Sequence, residues 1–269
     1  MRPMPLAAIS SQSSWIAPAL KLLVSVILIA ALCEPAGAVP VPRPRPAQAP
    51  GAPGPSMEET EEAAPPSACR LRLTGELAVA PSLPALGGTG ECPVEDAVLL
   101  EAVLLPDKTR VAVVPPASAR CTFAEAIVHW VREDVAPLAR SLGAALRTID
   151  NFDSYECRGR NRVPGAKLSE HGKANALDIR SFKLANGKTV ELTDPEVSKD
   201  FRLALRKTAC ARFTTVLGPG SDGYHETHVH VDLAERAGGY RLCHWEVREP
   251  GEESGPVPLP RPRPDSLEP

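Results

Sequence analysis

Proline is distributed so unevenly along this chain that it confines any folded domain to the middle of the sequence. Of the 30 prolines, four fall in residues 1–38, nine in residues 39–66 and seven in residues 248–269, so ten remain for residues 67–247. Alternating prolines favour an extended polyproline conformation, and both proline-rich segments have too little apolar content to form a core. We therefore expect one folded domain over residues 68–247, between a disordered linker at 39–67 and a disordered tail at 248–269.

The first 38 residues are typical of a secretory signal peptide. Arg2 and Lys21 supply positive charge, residues 22–33 form an apolar run, and Ala36-Gly37-Ala38 offers the small residues that signal peptidase accepts. A membrane-spanning helix needs roughly 20 apolar residues, so this run is too short for a stable anchor. We expect cleavage after residue 38 and export to the periplasm or cell wall; an uncleaved N-terminal anchor is the alternative.

Cysteine usage agrees with export. Six cysteines follow the signal, an even number, and no two of them have the CxxC spacing of a zinc ribbon. An even set in an exported chain predicts disulfide bonds, although six cysteines allow 15 pairings and the sequence does not choose among them. Buried reduced thiols are the alternative. The six are Cys69, Cys92, Cys121, Cys157, Cys210 and Cys243.

The net charge of the chain excludes a broad nucleic-acid footprint. Removal of residues 1–38 takes away two basic residues and one acidic residue, leaving 30 − 2 = 28 basic against 33 − 1 = 32 acidic residues, a net charge of −4. Proteins that bind nucleic acid electrostatically carry a basic excess. We therefore expect no nucleic-acid partner, and contact with a membrane only through the signal or the uncleaved anchor.

Runs of β-branched and apolar residues predict several strands. Asn186-Gly187 lies between two of these runs and is a strong hairpin signal. The predicted strands cover residues 97–105, 110–114, 144–149, 176–184, 188–192 and 228–233.

Two helices are predicted from apolar spacing and capping residues. Thr122 with Glu125 makes a capping box at the start of a helix that ends near Gly143. Asp194 is the predicted N-cap of a second helix that runs towards Arg212. Helices before and between antiparallel strands predict an α+β domain, with a small antiparallel sheet and flanking helices.

Four of the six histidines lie in two short segments. His171 follows Ser169-Glu170, and the other three are His225, His228 and His230. On a strand the side chains alternate between faces, so His228, His230 and Asp232 are expected to share one face while the two valines between them enter the core. We therefore expect two imidazoles to project together into a cleft.

An aspartate completes a metal-binding pattern with these histidines. His171 is followed seven residues later by Asp178, at the start of a predicted strand. A catalytic zinc site uses three protein ligands, often imidazole nitrogens and a carboxylate oxygen, and leaves the fourth position for water. Two histidines and one carboxylate from these segments meet that requirement, so the sequence predicts a Zn²⁺ site here.

These motifs carry a family resemblance. Ser-x-His-x6-Asp followed by His-x-His resembles the zinc peptidases grouped with lysostaphin, the D-Ala-D-Ala metallopeptidases and hedgehog domains. The stretch from about Cys69 to Cys243 more closely resembles the bacterial extensin-like C-terminal domain. That closer resemblance rests on Tyr155-Glu156-Cys157-Arg158, Asn161, Leu168-Ser169-Glu170-His171, Asn175-Ala176-Leu177-Asp178, Val216-Leu217-Gly218-Pro219 and His228-Val229-His230-Val231-Asp232.

The resemblance implies a fold, an activity and a role for several residues. It implies a zinc peptidase-like domain that hydrolyses a peptide bond in peptidoglycan stem peptides, as a carboxypeptidase or an endopeptidase. His171, Asp178 and His230 would be the metal ligands. His228 would help to move the proton of the metal-bound water or steady the oxyanion, and Arg158 would bind a peptide carbonyl or a terminal carboxylate.

Two positions depart from the peptidase pattern. Ala174 stands where a glycine is usual, and alanine is strained there if the backbone needs a positive φ. Thr227 stands where some relatives have a glutamate base. Glu226 shares the strand parity of His228 and could substitute for that base, although exposed loop positions are favoured for both Glu226 and His225. These departures and the proline-rich flanks also fit a non-catalytic wall-binding or structural module that retains the zinc pocket.

Overall fold

The computed structural model of this protein describes residues 66–73, 75–87 and 92–252. The predicted signal peptide, almost all of the predicted linker and most of the predicted tail therefore lie outside the described residues. None of the helices within the described part of the chain is long and apolar enough to cross a membrane.

A nine-stranded mixed sheet forms the centre of the domain. Its strands are β1 (Ala78–Val79), β2 (Ala97–Leu104), β3 (Arg110–Arg120), β4 (Leu146–Asp153), β5 (Ala176–Leu184), β6 (Thr189–Glu191), β7 (Thr215–Leu217), β8 (Val229–Asp232) and β9 (Leu242–His244). They lie in the order β1-β2-β3-β4-β5-β8-β7-β9, with β6 paired to β5. The Asn186-Gly187 turn joins β5 to β6 as predicted.

The sheet is larger than predicted and is not wholly antiparallel. β3 pairs with β4 in parallel, as β7 does with β9, and the remaining pairs are antiparallel. The chain leaves β3, crosses back through helical segments and returns beside β3 in the same direction, which is the connection that parallel strands require. The predicted small antiparallel sheet is therefore wrong in size and in strand direction, while the α+β class is confirmed.

β3 continues past the point where the sequence predicts its end. The sequence predicts an end at Val114, just before the prolines at 115 and 116, but pairing with β2 resumes and reaches Arg120. The β2–β3 register shifts between Leu100 and Ala102, opposite this part of β3. Prolines occur within sheets at such irregularities because they have no N–H to donate to the ladder.

The first long helical segment begins two residues earlier than predicted and has a different cap. It comprises α2 (Cys121–Trp130), a π-helical turn (Val131–Val135) and α3 (Ala136–Arg140), and it follows the short helix α1 (Ala68–Arg72). Arg120 is its N-cap, so the predicted capping box does not form. Glu125 instead accepts hydrogen bonds from Arg72 of α1, at 2.6 and 2.8 Å.

The second helix, α4 (Lys199–Arg212), begins later than predicted. Ser198 is its N-cap and accepts a hydrogen bond from the backbone N–H of Phe201. Asp194 instead accepts a hydrogen bond from the N–H of Glu196, 2.9 Å away, in the preceding turn. Both residues suit either role, so local sequence did not distinguish them.

The core lies between α2, α4 and one face of the sheet. Phe123, Trp130 and Phe213 form a cluster of buried rings there, with the Trp130 and Phe213 centroids 5.3 Å apart. Leu177 and Val231 belong to the same core and come from the neighbouring strands β5 and β8. Residues that alternate with them on these two strands therefore lie on the opposite face.

Three disulfide bonds use all six cysteines of the domain, which confirms the predicted disulfide-bonded state. The first two bonds interleave along the sequence, whereas the third joins the last two cysteines. Spacing alone could therefore not have given this pairing. The pairs are Cys69–Cys121, Cys92–Cys157 and Cys210–Cys243. They join α1 to the start of α2, the segment before β2 to the loop after β4, and α4 to β9.

Candidate metal centre

Antiparallel pairing of β5 and β8 places two of the predicted ligands side by side. Asp178 lies directly opposite His230 in the register. Val229 and Val231 enter the core, so His230 and Asp232 project from the other face, as the strand alternation predicts. Asp178 Oδ1 lies 2.8 Å from His230 Nδ1.

His171 reaches the same point from a short 3-10 turn before β5. Its Nε2 lies 3.3 Å from His230 Nδ1 and 3.3 Å from Asp178 Oδ1. The buried carboxylate of Glu170 braces this turn by accepting hydrogen bonds from Lys173 and Asn175, both at 2.7 Å. The three residues form a buried donor group that could hold one metal ion.

Ala174 ends this turn in the left-handed conformation, with φ 50° and ψ 36°. The position therefore does require a positive φ, and alanine adopts it at a cost of about 1 kcal/mol relative to a right-handed backbone. Its carbonyl accepts a hydrogen bond from the N–H of Arg120, 2.7 Å away. The turn thus forms without the glycine that the peptidase pattern usually has at this position.

The outer nitrogens of both histidines are already engaged. His171 Nδ1 lies 2.6 Å from the carbonyl oxygen of Ser154, and His230 Nε2 lies 2.9 Å from Asp232 Oδ2. A carbonyl oxygen can only accept, so His171 donates from Nδ1 and presents the lone pair of Nε2. Metal-binding histidines use the same arrangement, because a second hydrogen bond fixes the tautomer and the ring orientation.

Charge interactions at this centre are strong. Burial raises the pKa of Asp178, but its contacts with His171, His228 and His230 outweigh this effect and hold that pKa well below its usual range. Burial lowers the pKa of His230, but Asp178 and Asp232 outweigh this effect and raise it to about 10. Without a metal ion, His230 is therefore protonated on both ring nitrogens, as an imidazolium, at neutral pH.

His228 lies beside the three-residue group. Its Nε2 is 3.4 Å from Asp178 Oδ2, and its ring is 4.9 Å from that of Phe152, centroid to centroid. Nδ1 of His228 is buried and has no hydrogen-bond partner among the described residues. An unpaired buried polar atom costs about 1–3 kcal/mol and calls for an explanation, for which a ligand or an ordered water is the usual one.

His225 corrects one expectation from the sequence. It is not an exposed loop residue but a buried one, 8% exposed, that lines the same cleft. Its Nδ1 lies 2.7 Å from Asp222 Oδ1, and its ring is 5.1 Å from that of His228. The His-x-x-His-x-His spacing and the aspartate three residues upstream were the signals that could have indicated this.

The structure does not bring Glu226 to the cluster. Its Oε1 accepts a hydrogen bond from the N–H of Gly220, 2.8 Å away, and Oε2 lies 3.7 Å from Arg248. It is not among the residues that line the cleft. The prediction that Glu226 shares a strand face with His228 is wrong. β8 begins at Val229, so strand alternation does not extend back to position 226.

Arg158 does line the cleft, which has a volume of about 440 Å³. Its Nη2 donates to Asp153 at 2.7 Å, and its Nε donates to Glu156 at 2.8 Å. Burial lowers the pKa of Arg158, but these two carboxylates outweigh it, so the net shift is upward. The guanidinium is therefore fixed in position on the cleft wall.

The fold and the site together define a disulfide-bonded α+β domain with a buried His/Asp donor group in a cleft. Residues 67–244, which are more than half of the 269-residue chain, match the family described as Extensin-like protein C-terminus. The chain belongs to this family, which confirms that part of the resemblance. Searches among curated proteins and among solved structures found no match.

Proposed function

We propose that this domain is a zinc-dependent peptidase, related to the lysostaphin and D-Ala-D-Ala metallopeptidase group, that cleaves peptide bonds in peptidoglycan stem peptides. One observation carries the proposal. His171 Nε2, His230 Nδ1 and a carboxylate oxygen of Asp178 converge, while the outer nitrogens of both histidines are held by Ser154 and Asp232. Convergent lone pairs repel one another unless a cation or a proton lies between them.

The separations of these atoms fit zinc. Zinc bonds of about 2.0 to 2.1 Å in a tetrahedron put neighbouring ligand atoms about 3.3 to 3.4 Å apart. Two of the separations here are 3.3 Å and the third is 2.8 Å. The donor set of two imidazoles and one carboxylate is also one that catalytic zinc sites use.

The residues around the centre suit amide hydrolysis. Zinc held there would lower the pKa of a water to about 7 and polarise the scissile carbonyl. His228, with a free Nδ1 and its ring against Phe152, is placed to move a proton or to steady the developing oxyanion. Asp222 orients His225 as a second proton-transfer group, the role predicted for Glu226. Arg158 retains Nη1, which neither of its ion pairs uses, to bind a peptide carbonyl.

The peptidoglycan substrate and the exported location rest on other support. Three disulfide bonds indicate an oxidising compartment. The pattern of residues 1–38 favours export to the periplasm or cell wall. Peptidoglycan is the peptide-containing polymer of that compartment, and the zinc peptidases that this chain resembles act on it.

A non-catalytic wall-binding module is the second candidate. Two observations favour it: Thr227 stands at the position where some relatives have a glutamate base, and Glu226 is bonded to Gly220 outside the cleft. Such a module would retain the metal pocket as structure or for recognition.

Digestion of purified sacculi tests the proposal. Zinc-loaded wild type is expected to release soluble stem-peptide fragments detectable by mass spectrometry, whereas Asp178→Asn, which removes one ligand, is expected to release none. The matched control is His129→Ala, because His129 is an exposed histidine whose only hydrogen-bond partner among the described residues is Glu133. Sedimentation of wild type with sacculi without any released fragment would contradict the peptidase proposal and favour the binding module.

The pH dependence of zinc affinity follows from the raised pKa of His230. Because that pKa is about 10 without metal, zinc must displace a proton at all lower pH values. The apparent association constant is expected to rise about tenfold per pH unit between pH 5.5 and 7.5. Competition with a chromophoric chelator, corrected for the protonation of the chelator, measures it. An affinity that stays constant over this range would contradict the assignment of His230 as a ligand.

A further inference from the structure

The charged side chains that line the cleft do not all have a partner of opposite charge. Each carboxylate of the lining has a partner that can carry a positive charge within the domain. The pairs are Asp153 with Arg158, Glu170 with Lys173, Asp178 with His230, Asp222 with His225, and Asp232 with His230. Each of these carboxylates therefore already has a partner within the domain before any substrate enters.

Two arginines of the same lining have no carboxylate partner among the described residues. Arg236 donates to the carbonyl oxygen of Thr214 at 3.1 Å and to the hydroxyl of Thr215 at 2.6 Å, which are both neutral. The Arg160 side chain is exposed and forms no hydrogen bond or ion pair within the described part of the chain. By contrast, Arg162 is engaged by Glu156. Arg160 is thus the cleft arginine with all of its side-chain donors free.

The segment that carries Arg160, residues 158–168, is held in place although it lies at the surface. We call it the arginine loop. Its base is anchored by the disulfide bond of Cys157, and Arg160 N donates to the carbonyl oxygen of Lys167 at 2.9 Å. A second backbone bond runs from Ser169 N to the carbonyl oxygen of Arg158 at 3.0 Å. A free guanidinium on an anchored loop loses less conformational entropy on binding than one on a mobile loop.

The arginine loop also contains two consecutive residues in the left-handed region, Asn161 with φ 52° and Arg162 with φ 57°. Strained backbones of this kind cluster at active sites and ligand-binding sites. The turn that they form lets Arg162 fold back onto Glu156 while Arg160 remains directed to the cleft lining. The two neighbouring arginines therefore differ in their surroundings: Arg162 is bonded to Glu156, and Arg160 is free.

We propose that Arg160 determines specificity by binding a carboxylate of the substrate, so that the cleft selects acidic peptides. The inference rests on the proposed function, and it names the substrate class of that same cleft. A guanidinium donates two parallel hydrogen bonds to a carboxylate, an arrangement that a carboxamide cannot match in charge. Arg158 is less suited to this role because Asp153 and Glu156 already neutralise it.

Calorimetric binding of two matched peptides tests this assignment. The first is a synthetic stem pentapeptide with free carboxylates, and the second is the same peptide with every carboxylate converted to a carboxamide. All proteins carry His228→Ala to suppress turnover, and Arg160→Gln is compared with Arg147→Gln. Arg147 is the matched control because it is exposed on β4 and has no hydrogen bond or ion pair among the described residues.

The parent protein is expected to bind the carboxylate peptide roughly tenfold or more tightly than the carboxamide peptide. Arg160→Gln is expected to reduce this preference to about twofold, and Arg147→Gln to leave it unchanged. Failure of the carboxylate peptide to bind, equal binding of both peptides, or a preference that survives Arg160→Gln would overturn the proposal. Because binding is measured rather than hydrolysis, the preference can be established even if sacculi are not digested.

Discussion

Replacing His228 with alanine is expected to leave one zinc bound per chain and to lower kcat/KM on stem peptides by about 100-fold or more. Positioned proton-transfer groups typically contribute 10²- to 10⁴-fold to catalysis. His228 is the group in question because Nδ1 is unpaired and the ring lies beside Asp178 without belonging to the three-ligand set. The measurement is the initial rate of fragment release, with metal content determined on the same sample.

Metal content measured beside activity distinguishes a role in proton transfer from a structural role, and His225→Ala is compared in the same assay. It removes the partner of Asp222 and is expected to lower kcat with little change in metal content. A His228→Ala variant that retains both zinc and full activity would contradict the role given to His228. A variant that loses zinc as well would place His228 among the ligands instead of beside them.

Replacing Arg202 with methionine is expected to lower the free energy of unfolding by about 2 to 4 kcal/mol. Its guanidinium is buried in α4 and donates to the carbonyl oxygens of Val197, Pro195 and Arg248, at 2.9, 3.0 and 2.7 Å. Methionine conserves much of the side-chain length but leaves all three carbonyls without this donor. Two of these carbonyls lie just before α4 and the third near the C-terminal end of the described chain, so Arg202 joins distant segments.

Denaturant unfolding measures this loss, with Lys207→Met as the control. Lys207 is an exposed residue of the same helix with no hydrogen bond or ion pair among the described residues, so its replacement is expected to change stability by less than about 0.5 kcal/mol. A loss below about 1 kcal/mol in Arg202→Met would show that water replaces the guanidinium at these carbonyls.

The sequence predicted the centre of the cleft better than its edges. Alternation in His228-Val229-His230-Val231-Asp232 is a local property of a strand, and it correctly separated the valines of the core from the polar face. The register between β5 and β8, which places Asp178 opposite His230, is set by tertiary pairing. From the sequence, this register could be inferred only from the chemistry of a metal site, which requires Asp178 and His230 to lie together.

Other features depended on contacts between distant segments. Glu125 caps no turn, because the helix begins earlier than predicted, and its carboxylate instead binds Arg72, 53 residues earlier. His225 is buried in the lining of the cleft, where its ring lies near that of His228 and its Nδ1 contacts Asp222. Local patterns cannot report such contacts, and both residues were therefore assigned to the wrong surroundings.

The metal content of the oxidised, dialysed domain tests the central claim most directly. Elemental analysis after equilibration with zinc is expected to give one zinc per chain in wild type and less than about a tenth of this in Asp178→Asn, because loss of one of three ligands weakens the site strongly. Wild type with no bound zinc, or Asp178→Asn with as much zinc as wild type, would contradict the site formed by His171, Asp178 and His230.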